Sequence, residues 1–133
     1  EDLVENKTEG REFLLYKSGE IKSKKYFRNG EKHGRWERYH KNGNLISLDT
    51  YNKGVASGPT EFYRKNGIPY FKKNYLNGEL HGEFIRYHKN GEIRIKGNYK
   101  NGEKEGKWEY FSENGNIVDY KYFDAESALN QSH

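Results

Sequence analysis

Histidines can bind metal ions or transfer protons near neutral pH, provided that their spacing brings them together. His33 and His81 share one position of an internal repeat, and His40 and His88 share another. Each pair is 48 residues apart, which corresponds to four strands of a sheet or roughly 19 Å. Because a zinc ion holds its nitrogen ligands at about 2.1 Å, neither pair can share a metal ion. We interpret these histidines as polar surface residues that recur with the repeat.

The acidic residues and the nucleophiles show no catalytic pattern either. Glu37, Glu61 and Glu109 fall at one repeat position, which Ile85 interrupts, so we expect them to be solvated partners of Lys and Arg. No serine lies in a nucleophile-elbow pattern, and the Asn-Gly-Glu segments lack the strand-to-helix context of a phosphate loop. The chain has no cysteine, which excludes disulfides and cysteine-based metal sites. The sequence predicts no enzymatic activity and no cofactor.

Aromatic rings with arginines and histidines among them carry the strongest binding signal. Arginine beside Trp and Tyr is the composition of protein-interface hot spots. We predict a partner-binding face that contains Trp36, Arg38, His40, Tyr51, Phe62, Phe84, Arg86, His88, Tyr99 and Trp108. The alternative for any one basic residue is that its stem merely covers the rings. Contact through Tyr39, Tyr63 and Tyr87 on the other side of the sheet is the rival interpretation.

A repeat of 24 residues must position these side chains. Copies begin at Gly34 (GRWERYHKNGNL), Gly58 (GPTEFYRKNGIP), Gly82 (GEFIRYHKNGEI) and Gly106 (GKWEYFSENGNI), and a worn copy begins at Gly10 (GREFLLYKSGEI). Every glycine except Gly97 falls in one of three repeat positions. A fixed period of this length is typical of solenoids and other repeat arrays.

The Asn-Gly dipeptides divide each repeat into a hairpin. Asn-Gly between alternating runs is the strongest signal of a two-residue type I′ turn, so we expect one at Asn42-Gly43 and a looser link at residues 29–33. The fold class follows: an all-β, elongated, single-layer antiparallel meander about 45 Å long. Its strands are expected near residues 11–17, 20–27, 35–41, 44–51, 59–65, 68–75, 83–89, 92–99, 107–113 and 116–123.

The two-residue turn also predicts which side chains share a face. It pairs Gly34 with Tyr51, Trp36 with Asp49, His40 with Leu45 and Lys41 with Asn44. The ring face, defined by Trp36, Tyr51, Phe84, Tyr99 and Trp108, would then also hold Leu45, Ile93 and Ile117. The tyrosine face, defined by Tyr39, Tyr63 and Tyr87, would be the wetter one. We expect each cross-strand ring, such as Tyr75 opposite Gly58, to cover its glycine.

The ends of the chain fall outside the complete repeats. Residues 1–9 are expected to be the remnant of a truncated repeat, because Leu3 shares the repeat position of Tyr51 and the chain opens with Glu1 rather than Met. Residues 10–123 hold five hairpin repeats. Residues 124–133 are expected to be a C-terminal cap, with a short helix over 124–129, or a frayed tail. Such covers matter because open sheet edges invite association.

The composition bounds the class of partner. Aromatic residues make up 16% of the chain, which argues against disorder despite only 32% hydrophobic residues. The net charge of +4 comes from interspersed basic and acidic residues, so we expect no nucleic-acid partner, although basic residues among rings can also stack bases. No apolar run approaches the roughly 20 residues of a membrane span. The compartment stays open: the cytoplasm is slightly favoured, and an exported form is compatible with the missing natural start.

The motif Gly-x-Trp-x-x-Tyr-x-x-Asn-Gly, followed by Asn-Gly-Glu-x-x-Gly, resembles the MORN repeats, and most closely the bacterial variant in proteins named YwqK-like antitoxins. The resemblance spans about residues 10–123. It implies a curved antiparallel sheet whose aromatic groove binds other proteins or itself, with contact to lipid head groups as a further possibility. The expected function is a non-catalytic protein-binding module of antitoxin or immunity type, with a toxin as the partner. The alternative is a structural or envelope-associated scaffold that self-assembles.

Overall fold

The computed structural model describes residues 10–123, and this part of the chain forms a single open antiparallel sheet without helices. The strands in chain order are β1 (Gly10–Leu15), β2 (Ile21–Arg28), β3 (Glu31–Lys32), β4 (Gly34–Tyr39), β5 (Leu45–Asn52), β6 (Val55–Ala56), β7 (Gly58–Tyr63), β8 (Pro69–Leu76), β9 (Glu79–Leu80), β10 (Gly82–Tyr87), β11 (Ile93–Lys100), β12 (Glu103–Phe111) and β13 (Ile117–Phe123).

The longer strands follow one another across the sheet in the order β1-β2-β4-β5-β7-β8-β10-β11-β12-β13. The two-residue strands β3, β6 and β9 pair with β2, β5 and β8 at one margin of the sheet. The predicted all-β meander is therefore confirmed. The expected remnant at residues 1–9 and the cap at 124–133 lie outside the described residues.

The turn at Asn42-Gly43 is not the predicted two-residue type I′ turn. His40 donates its backbone N–H to Asn44 O at 2.8 Å, and Gly43 N–H donates to His40 O at 2.9 Å, which leaves a three-residue loop. Gly43 has φ of 91°, whereas Asn42 lies outside the positive-φ region. The Asn42 side chain instead accepts the N–H of Asn44 at 2.9 Å. Asparagine stabilises this loop by a local hydrogen bond and not by a left-handed backbone.

The tight turns lie where looser links were expected. Asn77 and Gly78 both have positive φ, at 48° and 88°, and they join Leu76 directly to its partner Glu79. The same geometry occurs at residues 29–30, 53–54 and 101–102. The link prediction is therefore wrong, because Asn-Gly suits both turn classes and the dipeptide alone does not discriminate between them.

The loop class changes which face part of each hairpin presents. Gly34 pairs with Tyr51 and Trp36 with Asp49 as predicted, but a bulge then places Tyr39 opposite Leu45. The predicted pairs His40–Leu45 and Lys41–Asn44 are therefore wrong. Equivalent bulges place Ile93 opposite Tyr87 and Ile117 opposite Phe111. Leu45, Ile93 and Ile117 belong to the tyrosine face, because one inserted residue reverses the side on which the following side chains lie.

The tyrosine face is also less exposed to solvent than expected, because it contains Leu48, which is only 2% exposed. Leu48 lies opposite Glu37 on one side and Glu61 on the other, so each neighbouring strand contributes to its cover. A single-layer sheet thus buries small parts of both faces instead of forming one continuous core.

Ring cover of glycine occurs at one unexpected position. The predicted pairs of Gly58 with Tyr75 and Gly82 with Tyr99 are present, but a Cβ at Gly58 would meet the methyl group of Thr50 and not a ring. Gly97 is the covered glycine, since a Cβ there would lie 2.1 Å from the Trp108 indole. The glycine outside the three repeat positions therefore makes room for a ring that comes from the neighbouring strand.

Hydrogen bonds between successive turns hold the repeats in register. Gly78 N–H donates to Ala56 O at 2.7 Å, and Gly102 N–H donates to Leu80 O at 2.8 Å. At the opposite margin, Asn90 Nδ2 donates to Glu113 O at 2.7 Å. These bonds join each hairpin to the next, so the side chains of the ring face keep a regular spacing.

Candidate functional site

The middle of the ring face carries an exposed phenylalanine between two arginines. Arg38, Phe62 and Arg86 occupy one repeat position on β4, β7 and β10, and all three are exposed. Phe62 is 36% exposed, and its outer surface is open although its ring stacks on Phe71 with centroids 5.1 Å apart. The neighbouring Thr60 is small and buried, so it offers no ring to cover Phe62.

A cluster of rings lies to the N-terminal side of this centre. Trp36 contacts Phe27 and Tyr51 edge-on, with ring centroids 5.2 and 5.4 Å away. Its indole Nε1 donates to the backbone O of Tyr26 at 2.9 Å. The hydrogen bond fixes the ring against the sheet, while the indole keeps part of its surface exposed.

A second cluster lies toward the C-terminal side. Trp108 stacks on Phe84 with centroids 5.6 Å apart and meets Tyr99 edge-on at 5.1 Å. Its Nε1 donates to Asn98 O at 3.1 Å, which mirrors the bond made by Trp36. Trp108 is only 1% exposed, so it supports the face from beneath while Phe84 and Tyr99 remain half-buried at the surface.

Lysine ammonium groups lie over the rings of both clusters and of the centre. Lys32 Nζ is 4.8 Å from the Trp36 ring and 4.9 Å from the Tyr51 ring. Lys73 Nζ is 4.9 Å from the Phe71 ring, and Lys104 Nζ is 4.8 Å from the Trp108 ring. Lys25 and Lys121 make equivalent contacts at 5.3 and 5.1 Å with Trp36 and Phe123. The ring face is therefore an aromatic surface with a basic outer layer.

The two histidines of the predicted site lie at the loop margin, beyond the ends of their strands. His88 makes a hydrogen bond of 2.8 Å from Nε2 to the backbone O of Phe111 in the next repeat. Tyr16, at the same repeat position, donates its hydroxyl to Tyr39 O at 2.7 Å. Tyr16 and His88 thus each tie their hairpin to the next one, at one end of the proposed contact surface.

The tyrosines of the two faces differ in their surroundings. Burial raises the pKa of Tyr51 and of Tyr99 on the ring face, and Asp49 adds to the effect at Tyr51. On the tyrosine face, burial and a hydrogen bond to Glu61 raise the pKa of Tyr63. On the same face, Arg35 pairs with Glu37 at 3.4 Å and Lys107 pairs with Glu109 at 3.8 Å. The charges of the tyrosine face are therefore partly neutralised within the sheet.

Sequence reasoning missed the lysines that lie over the rings. The signal was present: Lys24-Lys25 and Lys72-Lys73 lie 48 residues apart, like the two histidine pairs. In each dipeptide one lysine lies on the tyrosine face and the other on the ring face. Lys24 lies over Tyr39, and Lys25 lies over Trp36. A charge pattern with a period of two repeats was therefore the sign of a basic ring face.

Two further observations concern residues 10–123. Within them, His, Asp and Glu form no group of three or more that could hold a metal ion. The same part of the chain contains no helix that is long and apolar enough to span a membrane.

Comparison with known families gives one match. Residues 32–53, 80–101 and 104–125 match the family model described as MORN repeat variant. The matched segments begin at equivalent positions of the 24-residue repeat, two residues before Gly34, Gly82 and Gly106. MORN repeats are generally protein- or membrane-binding modules and are not an enzyme family. No curated protein matches the chain.

Proposed function

We propose that this MORN-repeat protein is a non-catalytic module that binds another protein across the middle of its ring face. One observation carries the proposal: Phe62 is exposed at the centre of a sheet face, with Arg38 and Arg86 on either side. An exposed ring flanked by arginines has the composition of an interface hot spot. β7 lies in the middle of the sheet, with further strands on both sides. A partner that contacts these strands as well would cover Phe62 completely.

The flanking clusters extend this contact surface. Trp36, Tyr51, Phe84 and Tyr99 supply partly exposed rings, and Trp108 holds Phe84 and Tyr99 in place from below. The side chains lie on paired strands whose turns are hydrogen-bonded to one another, so the surface is pre-organised. Pre-organisation reduces the ordering cost of association. His40 and His88 would form the rim of the surface at the loop margin.

We further propose an antitoxin or immunity role, in which the ring face neutralises a toxin by binding it. The resemblance of the repeat to YwqK-like antitoxins supports this role. The second candidate is a scaffold that self-assembles, and the exposure of strand β13 favours it. Val118 and Tyr122 on that strand are 65% and 66% exposed, and exposed strands invite pairing between chains.

Photo-crosslinking tests the proposed face. Replacing Phe62 with benzoylphenylalanine should trap the partner in cells of the source organism, whereas the same probe at Lys96, on the tyrosine face, should not. If the trapped protein is a toxin, its expression alone should arrest growth and co-expression of this chain should relieve the arrest. Crosslinking from position 96 alone would refute the ring-face proposal.

Charge reversal provides a second test with the trapped partner. Arg38→Glu with Arg86→Glu should weaken binding at least tenfold, because both arginines border Phe62. Lys72→Glu with Lys96→Glu is the matched pair on the tyrosine face and should leave affinity within twofold. Lys41→Glu with Lys89→Glu probes the three-residue loops, and a loss confined to this pair would place the contact there.

A further inference from the structure

Most lysines of the ring face lie over aromatic rings and have no ion-pair partner in the part of the chain that the structure describes. Among the described residues, Lys32, Lys73, Lys104 and Lys121 form no ion pair, although each lies over a ring. Lys25 is the exception, with Glu12 at 3.8 Å. On the tyrosine face, Arg35 and Lys107 each have a glutamate partner, whereas no ion pair of Lys24 or Lys72 occurs among the described residues. The ring face therefore presents positive charge that the sheet itself does not neutralise.

The rings hold these ammonium groups in place. Lys73 Nζ lies 4.9 Å from the Phe71 ring and 5.4 Å from the Tyr75 ring, so the side chain lies flat on the sheet between two rings. A cation over a ring face is attracted by the ring quadrupole and gives up part of its hydration. An incoming carboxylate then meets a partly desolvated cation in a defined position, where an ion pair is stronger than in water.

The basic positions recur at a regular distance. Lys25, Lys73 and Lys121 lie 48 residues apart on β2, β8 and β13, with Asp49 and Gly97 at the same position in the intervening repeats. Four strand spacings separate consecutive lysines, which is roughly 19 Å. Arg38 and Arg86 lie between them with the same period. An extended chain covers about 3.3 Å per residue, so it would cross from one lysine to the next in about six residues.

We propose that the ring face recognises an acidic, extended segment of its protein partner, which crosses the strands and places carboxylates at the lysine–ring clusters. A segment of about twelve residues, with acidic groups about six residues apart, would reach from Lys25 to Lys121. Apolar side chains between the acidic groups would contact Phe62 and the exposed parts of the clusters. This inference rests on the proposed protein-binding function and names the chemistry of the partner.

Peptide binding measured by fluorescence anisotropy tests the inference. The probe is a labelled 14-residue peptide with Asp-Glu pairs six residues apart and apolar residues between them, and its control has Asn-Gln in place of the acids. We expect the acidic peptide to bind at least tenfold more tightly at low salt, and its advantage to fall as salt rises. Equal binding of the two peptides would overturn the proposal, as would binding of anionic phospholipid vesicles without binding of the acidic peptide.

The adjacent lysine dipeptides supply a matched pair of variants. Lys25→Gln with Lys73→Gln removes charge from the ring face, whereas Lys24→Gln with Lys72→Gln removes the same charge from the tyrosine face. The first pair should weaken binding of the acidic peptide by about fivefold or more, and the second by less than twofold. Equal losses would show attraction to net charge only and would refute a site on the ring face.

Two measurements keep the outcome interpretable. Far-UV circular dichroism and a urea midpoint establish that each variant is folded, and Lys32→Gln replaces Lys25→Gln if the loss of the Glu12 pair disturbs the sheet. A partner trapped at position 62 whose affinity is independent of salt and of Lys73 would refute the acidic-segment inference while supporting the proposed function. Failure of position 62 to trap any partner would count against the proposed function itself.

Discussion

Trp36 and Trp108 occupy the same repeat position, yet Trp36 is partly exposed and Trp108 is buried. Both indoles donate to an equivalent carbonyl of the preceding strand, at 2.9 and 3.1 Å, and both meet a tyrosine edge-on. The difference lies in the residue of the preceding strand that the indole meets: Trp36 meets Lys25, whereas Trp108 meets Gly97. Without a side chain at position 97, the Trp108 ring lies directly on the backbone and only 1% of its surface remains exposed.

The comparison shows how one repeat position can hold either a buried core side chain or a partly exposed one. Where the neighbouring strand has a glycine, the indole becomes core; where it has a lysine, the indole becomes part of a basic aromatic surface. In the middle repeat, Thr60 replaces the indole altogether, and Phe62 is left exposed. Buried and exposed side chains thus alternate along the same sheet face.

Truncation of the two tryptophans should give the largest difference in stability between the two sites. Trp108→Ala should lower the free energy of unfolding by about 3–5 kcal/mol, the range for a large buried ring. Trp36→Ala should cost about 2 kcal/mol, since less of its surface is buried. Urea denaturation followed by circular dichroism measures both, and equal losses would contradict the contrast.

Truncation of the tyrosine next to each indole position should give a graded series. Tyr99 packs on Trp108 at 5.1 Å and Tyr51 on Trp36 at 5.4 Å, whereas Tyr75 lies in the repeat that has Thr60. We expect losses of about 3, 2 and 1 kcal/mol for Tyr99→Ala, Tyr51→Ala and Tyr75→Ala. The sequence alone predicted that the Tyr75 ring covers Gly58, and such burial would give a loss of about 3–5 kcal/mol. If the urea midpoint for Tyr75→Ala is as low as that for Tyr99→Ala, the Tyr75 ring is as well buried as the Tyr99 ring, and the graded series is wrong.

Gly97→Lys should convert the buried site into a copy of the exposed one. The new Cβ would lie 2.1 Å from the Trp108 ring, so the indole must move outward, at a cost of about 1–3 kcal/mol. In a Trp36→Phe background the emission of Trp108 should shift to longer wavelength. Asn98→Lys, on the exposed neighbour, is the control and should leave the emission unchanged. An unshifted spectrum in Gly97→Lys would show that position 97 does not set the burial of the indole.

Alkaline titration should destabilise the fold through Tyr51, beside Trp36, and through Tyr99, beside Trp108. At neutral pH both tyrosines stay protonated, so the two sites do not differ there. Burial raises the pKa of Tyr51 and Tyr99, so the folded protein holds these phenolic protons more tightly than the unfolded chain does. Their contribution to stability is fully present below the ordinary tyrosine pKa of about 10 and is lost as pH rises through the raised values. Absorbance at 295 nm should show both tyrosines ionising above pH 10, and Tyr51→Phe should remove one of them. Ionisation of Tyr51 and Tyr99 at the ordinary value would contradict their burial.

The candidate site could be predicted from the sequence only in part. The ring positions were recognisable, because Trp36, Phe84 and Trp108 recur with the repeat. Their exposure was not, because it depends on Lys25 and Gly97 one strand away. The basic layer over the rings was missed as well, since Lys24 and Lys25 look alike in the sequence and the sheet sends them to opposite faces.

The turns show the same division between local pattern and structure. Asn-Gly correctly marked both margins of the sheet, because asparagine and glycine favour tight turns whatever the class. The class itself depended on hydrogen bonds beyond the dipeptide: a three-residue loop closes between His40 and Asn44, while a two-residue turn closes between Leu76 and Glu79. The single residue of difference moved Leu45, Ile93 and Ile117 to the tyrosine face.

The sequence by itself determined the all-β class, the meander order and the pairing of Gly34 with Tyr51, because a 24-residue period with short connections permits little else. Tertiary structure decided which indole is core and which is surface, and which lysines stand over rings. Those outcomes depend on contacts between strands of successive repeats. There, side chains that are far apart in the chain pack into the same space on one face of the sheet.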